Sequence, residues 1–126
     1  MPFRCPKCSS PGSLGIIVTI ELPPDASWDE ITLQVIRCKT CHFSGVAVYR
    51  ESRRGALKEE IIHHMGYSMQ DKDLKVLERM IRNCPKPSNW RCDCPVHRKL
   101  GSKDDQGRWN GLSGMGAGHT FDMKLG

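Results

Sequence analysis

Residues 83–97 read NCPKPSNWRCDCPVH and crowd Cys84, Cys92, Cys94 and His97 into a stretch interrupted by three prolines. Such a segment is unsuited to a regular helix or strand, because proline removes a backbone donor and restricts its neighbours. Free cysteines otherwise behave as small buried hydrophobes on the apolar face of an element, and this stretch offers no such face. Disulfide, redox or metal chemistry remains. The chain holds seven cysteines in all, an odd number that internal pairing cannot use up.

The other four cysteines form two pairs of identical spacing, Cys5 and Cys8 in CPKC, and Cys38 and Cys41 in CKTC. Two intervening residues let both sulfurs of a pair reach one ion from a tight turn, and two pairs complete a tetrahedron. Counting ligands then answers for the later stretch. Once Cys5, Cys8, Cys38 and Cys41 are taken, Cys84, Cys92 and Cys94 are left, and His97 supplies a fourth donor for a second tetrahedral site. Pro85, Pro87 and Pro95 stiffen that loop and lower the entropy lost when its ligands converge. Two zinc ions per chain are expected. The rival readings are a redox dithiol formed by Cys92 and Cys94, which needs a thiol of depressed pKa, and His42 in place of His97 as a ligand.

The elements that must position these ligands are legible around them. LGIIVTIEL and DEITLQVIRC are rich in β-branched residues, and Ile31, Leu33 and Val35 alternate with Thr32 and Gln34 at the period of a half-buried strand. PPDAS separates them as a turn, and GVAVYR after the second pair reads as a third strand. The order of knuckle, strand, strand, knuckle, strand over residues 3–50 resembles a zinc ribbon. That resemblance implies a small antiparallel sheet clipped at one end by zinc. The interval between the pairs is also similar to that of rubredoxins, which hold one redox-active iron. Rubredoxins carry glycine after each pair and an aromatic-rich core, whereas Ser9 and His42 follow the pairs here and aromatic residues make up only 6% of the chain.

Helical periodicity follows the third strand. SRRGALKEEIIHHMGY places Leu57, Ile61, Ile62 and Met65 at near-helical intervals, with Gly66 as a stop. SMQDKDLKVLERMIRNCP places Leu74, Leu77 and Ile81 on one face, with Ser68 or Asp71 as cap, acids Asp71 and Asp73 first, Arg79 and Arg82 last, and Pro85 as terminator. The expected fold is α+β: a zinc ribbon over 1–51, a helical hairpin over 52–83, a second zinc-binding loop over 84–108, and a Gly-rich segment with a short tail over 109–126. Glu60 and His63 stand three apart, as in helical metal sites, but no matching pair accompanies them, and they read as solvated residues. GMGAG at 114–118 follows no strand and opens no helix, so it reads as a flexible linker rather than a phosphate loop. HTFDMKL reads as a short edge strand or a loose tail.

At 126 residues the chain has room for one modest core. No apolar run approaches a membrane span, and MPFRCPKCSS lacks the apolar core of a secretory signal, so a cytoplasmic location without membrane association is expected. Reducing cytosol in turn favours metal over disulfide. The net charge of +5 is unevenly spread: −2 over residues 1–36, +5 over 37–58, −3 over 59–78, +5 over 79–108 and zero thereafter. Lys39, Arg50, Arg53 and Arg54 fall in the first basic block and Trp90, Arg91, Arg98 and Lys99 in the second. If the fold merges the two blocks, they form a basic face suited to phosphates, with Trp90 or Tyr49 stacking on a base. Nucleic acid is the expected partner and a protein partner in a regulatory adaptor the alternative. Both metal shells are closed by four protein ligands, so no catalysis is expected.

Overall fold

The computed structural model describes residues 3–53 and 61–124. Strands β1 (Leu14–Leu22), β2 (Glu30–Cys38) and β3 (Ser44–Ser52) form where β-branched residues predict them. β4 (Ile61–Ser68), α1 (Asp71–Asn83), α2 (Pro95–Leu100) and β5 (Thr120–Asp122) follow. The five strands make one antiparallel sheet in the order β1-β2-β3-β4-β5. The molecule is thus a small α+β fold.

Alternation sorts the sheet into two unlike faces. Leu33 pairs with Ile20 on one side and Val48 on the other, and Val35 pairs with Val18 and Val46, so all six share a face. α1 lays Leu74, Leu77 and Ile81 over that face and closes the main core, which Leu100, Leu112 and Met115 complete. Each such side chain contributes about 1.5–3 kcal/mol by leaving water. The opposite face carries a smaller cluster of Cys5, Leu14, Ile36, Cys38 and Ala47, flanked by Phe3, Phe43, Phe121 and Met123.

The expected first helix of the hairpin is replaced by β4 over residues 61–68. The same residues that suggest a helical stripe also alternate, with Met65 opposite Val48 and Tyr67 opposite Val46, and a strand here satisfies the otherwise open edge of β3. Leu57 and Glu60 lie outside the described residues. Gly66, expected to stop a helix, is instead a mid-strand residue: a Cβ there would collide with the Phe121 ring, and its absence lets β5 pack against β4. HTFDMKL thus supplies the edge strand. α1 forms on its predicted face, but its N-cap is Gln70 without a side-chain hydrogen bond, Ser68 being the last residue of β4. The Gly-rich segment is a chain of turns anchored by Met115, which is buried in the main core. The flexible-linker reading therefore fails, because one large apolar side chain outweighs the mobility of its glycine neighbours.

The two outer edges of the sheet are joined through the N-terminal arm. Leu14 donates its N–H to the Phe3 carbonyl (3.2 Å), and Arg4 donates to the Lys124 carbonyl just beyond β5 (2.7 Å). The arm therefore runs between the two edges on the side of the smaller face, where the Cys5 cluster sits. Among the described residues, no helix is long and apolar enough to cross a membrane.

Candidate metal centres

The first centre brings together Cys5, Cys8, Cys38 and Cys41, with all four sulfurs within 4.8 Å of one another. Cys38 ends β2, and the tight turn to β3 returns Cys41; the other pair sits in the turn of the N-terminal arm. The Cys5 and Cys41 sulfurs are 3.6 Å apart and those of Cys8 and Cys38 are 3.7 Å apart. Four Zn–S bonds of about 2.3 Å in a tetrahedron require sulfur separations of about 3.8 Å, whereas a disulfide requires about 2.05 Å. The geometry is that of ligands around an ion, and all seven cysteines are free. Backbone N–H groups point at the sulfurs: Lys7 to Cys5 (3.4 Å), and Thr40 and Cys41 to Cys38 (3.3 and 3.4 Å). The residue after each pair, Ser9 and His42, adopts a positive φ of 62° and 64°. These are the positions where glycine would be unstrained.

The second centre gathers Cys84, Cys92, Cys94 and His97 within the same 4.8 Å limit. Cys84 caps the C-terminus of α1, and Cys94 caps the N-terminus of α2, its sulfur accepting from the His97 N–H at 3.4 Å. α2 begins inside the proline-rich stretch because Pro95 occupies the first helical position, where proline's missing donor costs nothing. The Cys84 and Cys92 sulfurs are 3.9 Å apart, and His97 Nδ1 lies 3.0 Å from Cys84 Sγ and 3.5 Å from Cys94 Sγ. Nδ1 is thus the nitrogen placed to ligate an ion shared with these sulfurs. His97 Nε2 contacts the Glu21 carbonyl at 2.9 Å, the partner that fixes the ring when Nδ1 binds metal. Glu21 also donates its N–H to the Pro87 carbonyl (2.7 Å), so the metal loop pairs with the outer edge of β1.

The electrostatics of both clusters point to cation binding. Burial opposes ionisation of Cys38, but its Ser13, Cys41 and Thr40 hydrogen bonds outweigh that and bring its pKa down to about 5. The Phe43 N–H favours the Cys41 thiolate, yet burial and the three neighbouring sulfurs push that thiol up to about 12. The second cluster repeats the pattern. Burial and the Cys94 and Cys92 sulfurs raise Cys84 to about 11 against the Lys86 N–H, whereas the His97 N–H and ring outweigh burial and lower Cys94 to about 6. Each cluster thus holds one thiol driven down, Cys38 or Cys94, and one driven up, Cys41 or Cys84; a divalent ion would offset the cost of ionising the latter by neutralising the set. All donors come from this chain, and sulfur-rich tetrahedra of this size suit zinc. His42 is exposed on the knuckle and belongs to neither cluster.

The residues expected to face nucleic acid are dispersed. Arg50 and Arg53 do not flank the first centre: they lie at the far end of β3, roughly 20 Å along the strand from its start. Arg50 stacks on Trp109 (5.3 Å to the ring centroid) and donates to the Tyr67 hydroxyl, while Arg53 pairs with Glu51 at 2.6 Å and Glu30 at 3.5 Å. Arg98 makes two 2.8 Å bonds to Asp93. Lys39 and Lys99 are exposed, and Arg91 lies over the exposed Trp90 ring at 5.0 Å from its centroid. Arg54 lies outside the described residues. No sequence signal marked Glu21 as a partner of the second centre, because the link is made by its backbone, seventy-six residues away from His97.

No known family model matches this chain, and neither does any curated protein or solved structure.

Proposed function

We propose that the chain is a non-catalytic module, stabilised by two structural zinc ions, that contacts nucleic acid through the loop carrying the second centre. The observation that carries this reading is the Trp90–Arg91 pair. Trp90 is 43% exposed, and the Arg91 guanidinium sits 5.0 Å from its ring centroid. Such a pair offers a stacking surface with a phosphate-binding cation attached. Lys86 and Lys99 are exposed on the same metal-bound segment, whose one acid, Asp93, is occupied by Arg98. The closed four-ligand shells support structural rather than catalytic metal, since neither reserves a position for water.

The reading differs from the sequence expectation in where the interface lies. Arg50 and Arg53 serve the fold, so the loop of residues 84–100 is left as the contact surface. Fluorescence anisotropy with labelled single-stranded oligonucleotides tests it. The expected result is salt-sensitive binding weakened by about 1–3 kcal/mol in Trp90→Ala, and unaffected by Lys39→Ala at the opposite end of the sheet. Absence of binding near physiological salt, or equal loss in both variants, overturns it in favour of a protein-interaction adaptor.

A further inference from the structure

The smaller face of the sheet carries a groove of about 440 Å³ lined by Phe3, Ile16, Glu21, Thr32, Tyr49 and His64, with Thr19 and Gln34 beside them. Its size falls within the range of small-molecule sites. Its chemistry is distinct from both metal centres. Three rings meet nearly at right angles: Phe3 and His64 with centroids 4.8 Å apart at 89°, Tyr49 and His64 with centroids 5.6 Å apart at 87°. The Glu21 carboxylate, held at 3.0 Å by the Thr32 hydroxyl, is the charged group of the lining, which contains neither lysine nor arginine among the described residues.

We propose that this groove binds a small alkylammonium compound, its cationic head set among Phe3, Tyr49 and His64 and facing the Glu21 carboxylate. Aromatic faces attract a desolvated alkylammonium through their quadrupoles, and a carboxylate adds direct charge complementarity that a neutral ligand cannot use. An anionic ligand would meet Glu21 without compensation, and a purely apolar one would cover a carboxylate whose one hydrogen bond, from Thr32, supplies no counter-charge. The His64 ring does not oppose a cation: burial first, then the adjacent His63, lowers its pKa and keeps it neutral at pH 7. Tyr49 is oriented by donating its hydroxyl to Glu51 at 3.0 Å, and Glu21 by its backbone bonds to the second metal loop. The second metal therefore helps position the carboxylate that faces the ligand.

The zinc-loaded full chain is titrated with choline and, separately, with its uncharged isostere bearing a tert-butyl group in place of trimethylammonium. Amide shifts of Phe3, Tyr49 and His64 are followed by heteronuclear NMR. Choline is expected to bind about tenfold more tightly than the isostere. Glu21→Gln, which keeps shape and backbone, is expected to remove most of that preference, and Tyr49→Phe to retain it. Tyr49→Leu is expected to weaken choline binding while both zinc ions remain, which separates loss of the ring from loss of the fold. Equal affinity for the two compounds overturns the proposal, as does the absence of shifts at about 20 mM choline, where a site of millimolar affinity would be largely filled.

Discussion

The two metal centres do the same coordination chemistry in opposite structural settings. The first sits at the end of the sheet where the hydrophobic core is thinnest: Cys5 and Cys38 are themselves two of the five buried residues in its cluster. The second adjoins the main core, where Cys84 packs with Leu77, Ile81 and Leu100. At one end a bound metal would stand in for a core, and at the other it would seal one that already exists. Both meet the outer edge of β1, the first through Phe3 at Leu14 and the second through Pro87 and His97 at Glu21. An edge strand that would otherwise template aggregation is thereby covered at each end.

Removing both ions breaks the comparison altogether. Structural zinc contributes an apparent ~10–16 kcal/mol in finger peptides, as much as the whole stability of a typical domain. Exhaustive chelation is therefore expected to abolish the cooperative thermal transition seen by circular dichroism. Single-site variants then separate the centres. Cys84→Ser, which opens a shell beside the main core, is expected to cost about 4 kcal/mol or more and to be visible as a lowered midpoint in denaturant. Cys8→Ser, at the exposed ligand of the first centre, is expected to leave α1 protected and to raise amide exchange over residues 3–14 and 38–46. Equal and global loss in both would mean that the two ends are not independent.

Smaller changes sharpen the contrast. Gly66→Ala forces the Phe121 ring away from β4 and is expected to cost about 1–3 kcal/mol, loosening the β5 edge without releasing either metal. His42→Gly relieves a positive φ at the first knuckle and is expected to stabilise the protein by about 1 kcal/mol, with no counterpart in the second loop, where no ligand-flanking residue is so strained. The smallest expected effect belongs to pH at the second end. Burial of Asp25 is outweighed by N–H bonds from Trp109, Ser27 and Trp28, with Arg50 adding to them, so its pKa is lowered. Its contribution is complete above the ordinary aspartate pKa near 3.8 and declines as pH falls through the lower folded value. Asp25→Asn is expected to flatten that acid limb in urea titrations.

The same contrast explains what the sequence disclosed. CPKC and CKTC announce the first centre because knuckle spacing is a local property of the turn, and the alternation of Ile31, Leu33 and Val35 announces the strand that carries Cys38. The second centre was reached by counting leftover ligands, and its one-turn helix was hidden because Pro95 is a helix start as well as a helix breaker. IIHHMGY satisfies both a helical and a two-residue period, and only the open edge of β3 decides for the strand β4. The groove had no sequence signal at all: Tyr49 and His64 meet as cross-strand neighbours of β3 and β4, a pairing hidden by the helical reading of β4, and Phe3 reaches them only from the N-terminal arm.

Native mass spectrometry of the folded chain tests the central claim most directly. Two zinc ions per chain are predicted, one lost in Cys8→Ser and the other in Cys84→Ser. A well-folded chain carrying one ion, or none, would contradict the account.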